Sequence, residues 1–299
     1  MRFCPLPPVV LDFDDSVGKL SDSELRYPLQ TWQESLRFGC FKEDLKRLEK
    51  QLPLPVDIGC VFLGSGDFHH ISLIPLRKLA AQNKEIELVV FDNHPDNMRY
   101  PFGIHCGSWV YHASRMPEVK KIHVIGITSG DIDWPHSWEN HLSPFLTGKL
   151  TYWSVGRKAA WLKMIGKGEH CRCFDNADEL VENFVKVSLN HDIMNGCYNI
   201  YLSIDKDVFS PDVVKTNWDQ GVFGKKHLDK IVKACSGRII GADVTGEVSF
   251  YKYKSLFKNF LSSIDGQYPI DNVRIKCWQQ EQHEFNLQIL KLLSDACDC

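Results

Sequence analysis

Short apolar runs that stop at clusters of acids and histidines constrain this chain most. Ile86–Phe91 is followed at once by Asp92-Asn93-His94-Pro95-Asp96-Asn97, and Tyr198–Leu202 by Ser203-Ile204-Asp205-Lys206-Asp207. Runs this short and apolar read as strands buried on both faces, which requires helices above and below the sheet. Segments of helical period lie between them, so the pattern predicts a three-layer α/β/α sandwich with a mainly parallel central sheet.

Strands are expected at Pro8–Phe13, Ile58–Leu63, Ile86–Phe91, Lys121–Ile127, Leu150–Ser154, Tyr198–Ile204 and Arg238–Val244. Helices are expected at Phe41–Gln51, Ile71–Ala81, Ala177–Leu189, Lys225–Cys235, Tyr253–Ser263 and Glu281–Ser294, with a loop over Phe209–Gly224. No linker, repeat or charge block divides the chain, so one domain over 1–299 is expected.

In a parallel sheet, ligands gather beyond the carboxyl ends of the strands. Four expected strand ends carry polar clusters there: Gly64–His70, Asp92–Asp96, Asp205 with Asp207, and Asp243–Glu247. Asp92, His94 and Asp96 occupy alternate positions, the period of an extended chain, and would face one rim; Asp205 and Asp207 repeat the arrangement. Oxygen and nitrogen donors without sulfur suit a pair of hard or borderline divalent ions. The acidic run Leu11–Ser16 reads as a strand-to-loop cap.

With 43% hydrophobic residues in 299, the chain can bury a substantial core. A net charge of −3 provides no basic stripe, so the expected partner is a small molecule and neither nucleic acid nor a membrane surface. Neither a signal peptide nor a membrane-length apolar run is visible, and eleven scattered cysteines, an odd number, fit a reduced, cytoplasmic setting. Homo-oligomerisation is left open.

The order of these motifs resembles that of the arginase/agmatinase (ureohydrolase) superfamily from about Gly64 to Glu247. Gly66–His70 is similar to its Gly-Gly-Asp-His signature, Asp92–Asp96 to its Asp-x-His-x-Asp, and Ser203–Asp207 to its Ser-x-Asp-x-Asp. The resemblance implies an arginase-like α/β fold and two manganese ions held by His69 or His70, Asp92, His94, Asp96, Asp205 and Asp207. Between the two histidines, His69 has the spacing from Asp92 closer to the family's. Ile104-His105-Cys106-Gly107 matches the segment that carries the family's proton-shuttling histidine, which makes His105 the acid/base candidate. The implied activity is hydrolysis of a C–N bond in a guanidino or amidino small molecule.

The chemistry suits those residue types. Two divalent ions about 4 Å apart lower the pKa of a shared water toward neutrality, so hydroxide is available as a nucleophile. Asp96 or Asp207 would hold its remaining proton, His105 would protonate the departing amine, and Glu247 would pair with a guanidinium. Departures from the pattern bear on specificity. The family's last motif is Gly-x-Asp-x-x-Glu; here Gly241–Thr245 is followed by Gly246, and Glu247 comes one place later. A one-residue shift on a strand end reverses a side chain's facing. Either a bulge at Gly246 restores Glu247, or guanidinium is not recognised in the family's way. Lys206 fits between the late aspartates only if it points away, and Thr216–Gly221, with Trp218 and Asp219, replaces a small-residue loop beside the substrate. Two alternatives remain: a non-catalytic or differently specific metal-binding protein of this fold, and a metallophosphoesterase, whose usual motif order the chain lacks.

Overall fold

The computed structural model describes residues 6–82, 85–189, 198–256, 258–260 and 270–296. Besides the short antiparallel pair Gly39–Cys40 and Ile104–His105, the strands are β1 (Val9–Asp12), β2 (Leu25–Pro28), β3 (Cys60–Phe62), β4 (Ile86–Phe91), β5 (Val119–Ile127), β6 (Leu150–Val155), β7 (Cys171–Phe174), β8 (Asn199–Asp205) and β9 (Ile239–Thr245). They form one sheet in the order β2-β1-β3-β9-β8-β4-β5-β6-β7, and every described pairing in it is parallel.

Alternation of side chains explains why this sheet needs two helical layers. Leu88 and Val90 of β4 pack with Leu11 and Val61 on one face, whereas Val89 and Phe91 pack with Phe62 and Ile204 on the other. The first face is covered by Leu45 and Leu48 of the helix Lys42–Gln51, Leu76 and Leu79 of Leu73–Ala80, and Trp109 and Ala113 of Trp109–Ser114. The second is covered by Leu180 and Phe184 of Ala177–Phe184, Leu228 and Ile231 of Lys225–Ala234, and Phe285, Ile289 and Leu293 of Asn272–Asp295. Each Leu or Phe buried this way stabilises the fold by roughly 1.5–3 kcal/mol.

From β3 the chain passes over two sheet positions to reach β4, and it fills that gap only later with β8 and β9. Reversal of the winding direction leaves a crevice at the carboxyl ends of the strands around it. The ends of β4 and β8, which are neighbours in the sheet, both open there.

Several elements differ from expectation. β2 and β7 have no counterpart among the expected strands; both are sheet edges, and neither is buried along its length, so they lack an apolar signature. The expected helix from Ala177 ends at Phe184 and continues as a π-turn over Val185–Leu189. Ile71 and Ser72 belong to a 3-10 segment preceding Leu73–Ala80. The last helix begins at Asn272, well before Glu281, through a stretch that is mostly exposed and carries no apolar stripe. Of the helix expected at Tyr253–Ser263, residues 257 and 261–263 lie outside the described residues. Among the described residues no helix is long and apolar enough to cross a membrane.

Candidate metal centre

The ligand candidates converge through turns rather than through continued strand. β4 stops at Phe91; His94 N then donates to Asp92 Oδ1 at 2.6 Å, and Asp96 adopts a left-handed φ of 46°, which aspartate tolerates better than most residues. The extended rim expected from the alternate spacing is therefore an Asx turn that gathers the same side chains. Asp205 ends β8 and accepts from Asp207 N at 3.0 Å, opening the 3-10 turn Lys206–Val208. His69 lies in the 3-10 segment Gly66–Ser72, opened by Ser65, whose hydroxyl accepts from Asp67 N. That segment is braced from below: Arg37 Nε donates to Asp67 Oδ2 at 2.6 Å in a buried pair.

His69 Nδ1 faces three carboxylates, 3.0 Å from Asp96 Oδ2, 3.2 Å from Asp92 Oδ2 and 3.4 Å from Asp205 Oδ2. His94 Nδ1 lies 3.0 Å from Asp207 Oδ2 and 3.5 Å from Asp92 Oδ1. Two groups with the donor spacing of a metal site result, His69/Asp92/Asp96 and Asp92/His94/Asp207, and Asp92 belongs to both. A mixed nitrogen and carboxylate set of this kind fits divalent ions such as Mn2+. Three buried carboxylates gathered round one imidazole nitrogen point the same way, because clustered carboxylates inside a protein are costly without a cation to neutralise them.

The hydrogen-bond network also fixes which nitrogen of the His69 ring faces the carboxylates. Ser203 Oγ donates to Asp243 Oδ1 at 2.7 Å, so it accepts from His69 Nε2 at 2.9 Å and leaves Nδ1 to the carboxylates. Tyr201 and Ser72 hold Asp243 in place with further hydrogen bonds of 2.7 and 3.0 Å. Sequence reasoning gave Asp243 no role; the serine at the head of Ser203–Asp207 was the available signal.

Crowding of acids governs their ionisation. Burial, then the charge of Asp92, raises both the Asp96 and Asp207 carboxyls to about 7. Burial and Asp207 push Asp205 well above the carboxylate range. Burial also opposes ionised Asp92, but hydrogen bonds from His69 and His94 outweigh it and hold its pKa down. For the two histidines burial opposes the charged form, and the surrounding aspartates overcome it, raising both well above the ordinary imidazole value.

The other expected residues are placed as follows. His70 is fully buried away from the cavity, and burial holds it well below the imidazole range, so of the adjacent pair His69 faces the carboxylates. His105 lines the cavity; its Nδ1 accepts from Gly107 N at 2.9 Å, and burial lowers its pKa to about 4. The ring is thus neutral with its proton on Nε2. Glu247 is not brought to the cavity. Its carboxylate binds Lys206 Nζ and accepts from Asn286 Nδ2 at 2.7 Å, all in the interior, so Lys206 points away from the aspartates beside it. Gly246 carries a φ of +92°, and a Cβ there would meet Asp205 Oδ1 at 2.6 Å, so the backbone is close to the site while the next side chain leaves it. Asp12 accepts from Asp15 N and pairs with Arg26, and Asp14 accepts from Ser16 N, Ser65 N and Ser249 Oγ.

The ligand candidates and His105 line a cavity of about 440 Å³ whose wall also includes Asp131, Glu139, Trp218 and Asp219. Trp218 closes over Gly66, where an added Cβ would lie 3.1 Å from the indole.

No family model matches the chain. An uncharacterized protein of Thermotoga maritima is 26% identical over 233 residues, 77% of this chain and 75% of its own. Proclavaminate amidino hydrolase of Streptomyces clavuligerus is similar in structure with a TM-score of 0.54 at 15% identity, over 99% of this chain and 94% of that one. Formimidoylglutamase of Bacillus subtilis gives 0.55 at 12% identity over 96% and 86% of the two chains. Helicobacter pylori arginase gives 0.51 at 12% identity over 98% and 99%. The chain has the fold of the arginase/agmatinase superfamily, at low sequence identity.

Proposed function

We propose that this protein is a dinuclear manganese hydrolase that cleaves a C–N bond of a guanidino or amidino small molecule. The observation that carries the reading is the pair of His/Asp groups sharing Asp92 at the crevice of the sheet. It is supported by fold neighbours named as an amidino hydrolase, a formimidoylglutamase and an arginase.

His69, Asp92, Asp96 and Asp205 would hold one ion, and His94, Asp92 and Asp207 the other. The ions supply Lewis acidity and a water acidified toward neutral pH. Asp96 and Asp207 would each keep a carboxylate oxygen beside that water, to accept a hydrogen bond from its remaining proton. His105 presents Nε2–H as a neutral donor to the nitrogen that departs, as a neutral imidazole can do in a buried site. Trp218 limits access of bulk water from above.

Engagement of Glu247 by Lys206 favours a specificity other than the family's guanidinium grip. A phosphoester substrate is disfavoured, because among the described residues no Lys or Arg lines the cavity. The test is a screen of guanidino, formimidoyl and amidino compounds for urea, formamide or ammonia release by manganese-loaded protein, with Asp92→Ala as control. Release by the wild type and none by the variant is expected; no release from any member of the screen would contradict hydrolysis of this class.

A further inference from the structure

A carboxylate stands behind the far nitrogen of each metal-facing histidine, but the two come from different places. For His69 it is buried Asp243, acting through Ser203. For His94 it is Asp219, on the loop that departs from the family pattern, with Oδ1 at 2.8 Å from His94 Nε2.

Asp219 is aimed by the residue between two ligand candidates. Thr128 donates to Asn93 Oδ1 from both its backbone N (3.1 Å) and its hydroxyl (2.5 Å), which fixes the amide so that Nδ2 must point outward. That Nδ2 donates to Asp219 Oδ2 at 2.9 Å and to its carbonyl oxygen at 3.1 Å. The loop is tied down just beyond, where Gly221 N donates to Asp207 O at 2.6 Å and a Cβ on Gly221 would strike Val208 O at 2.5 Å. One Asp219 oxygen is thereby taken by Asn93 and the other is presented to His94.

We infer that Asp219 is a positioning residue: it holds the His94 proton on Nε2 and the ring in place, so that Nδ1 is left free toward Asp92 and Asp207, and the affinity of that one metal position depends on it. The inference rests on the metal reading above. Histidine ligands are oriented by such partners in metal sites, and removing the partner weakens binding by roughly 10- to 100-fold. Asp219 is also 66% exposed at its side chain, so its loss removes little packing.

The test is titration of the full-length, chelator-treated wild type and Asp219→Ala and Asp219→Asn variants with Mn2+ by calorimetry, with melting of the metal-free proteins. Two sites in the wild type are expected; in Asp219→Ala one weakens by roughly 10- to 100-fold and the other is unchanged. Metal-free melting should not move in either variant, and Asp219→Asn, whose amide oxygen can still accept from His94 Nε2, should weaken that one site less than Asp219→Ala does. Two unchanged sites in Asp219→Ala would overturn the role of Asp219 and leave the metal reading standing. Equal weakening of both sites with a lowered melting point would make Asp219 structural, and a wild type that binds no Mn2+ would remove the metal reading and this role with it.

Discussion

Glu247 is bound to Lys206 inside the protein, with side-chain exposures of 2% and 0%, and its carboxylate does not reach the cavity. A single extra residue at Gly246 is enough to turn it there. Removing one partner of a buried pair leaves the other charge uncompensated, at a cost of roughly 3–5 kcal/mol. Glu247→Gln is therefore expected to lower the unfolding free energy from denaturant titration by that amount while Mn2+ stoichiometry stays unchanged. A double Lys206→Met, Glu247→Leu variant should recover much of the loss. Loss of metal in Glu247→Gln without loss of stability would contradict this placement.

His105 tests the chemistry apart from the metal. Its ring touches the cavity but belongs to neither His/Asp group. His105→Gln should retain metal and slow turnover by roughly 10²- to 10⁴-fold, the usual worth of a positioned acid or base. Unchanged turnover would assign His105 to the turn at Gly107 alone.

Asp96 and Asp207 set a pH dependence of known sign. Their carboxyls have folded pKa values raised to about 7 from the ordinary 3.8, so between those values the folded, metal-free chain holds protons that the unfolded chain has released. Their contribution is fully present below about pH 3.8 and is lost as pH rises through 7. Mn2+ displaces the same protons, so the gap between melting temperatures with metal and with chelator should widen from pH 5 toward 7. A gap that stays constant across this range would count against these two carboxylates as ligands.

Much of this site was legible because burial on both faces makes β4 and β8 conspicuous, and the residues that end them are polar. The His69, Asp92–Asp96 and Asp205/Asp207 clusters all fall at one rim for that reason. Spacing did not reveal the backbone: the left-handed φ at Asp96 and the turn at Lys206 are local hydrogen-bond outcomes that alternate positions do not encode. Glu247 posed two options in the sequence, and only packing against Lys206 and Asn286 separates them. The pairing of Asp219 with Asn93 and His94 was hidden because it joins residues more than a hundred positions apart, and β2 and β7 were hidden because edge strands carry no buried pattern.

Sharing of Asp92 gives a stoichiometric signature. Asp96→Ala and Asp207→Ala each remove a member of one group and should each leave close to one ion per chain, whereas Asp92→Ala should leave none. Equal metal content in all three variants would mean that the two groups do not act as separate positions.

Elemental mass spectrometry of the wild-type chain, stripped with chelator, reloaded with Mn2+ and freed of excess, bears most directly on the whole account. Two manganese ions per chain are the expected result, as the paired His/Asp groups require. Absence of bound metal would contradict the dinuclear centre and, with it, the hydrolytic chemistry proposed for this fold.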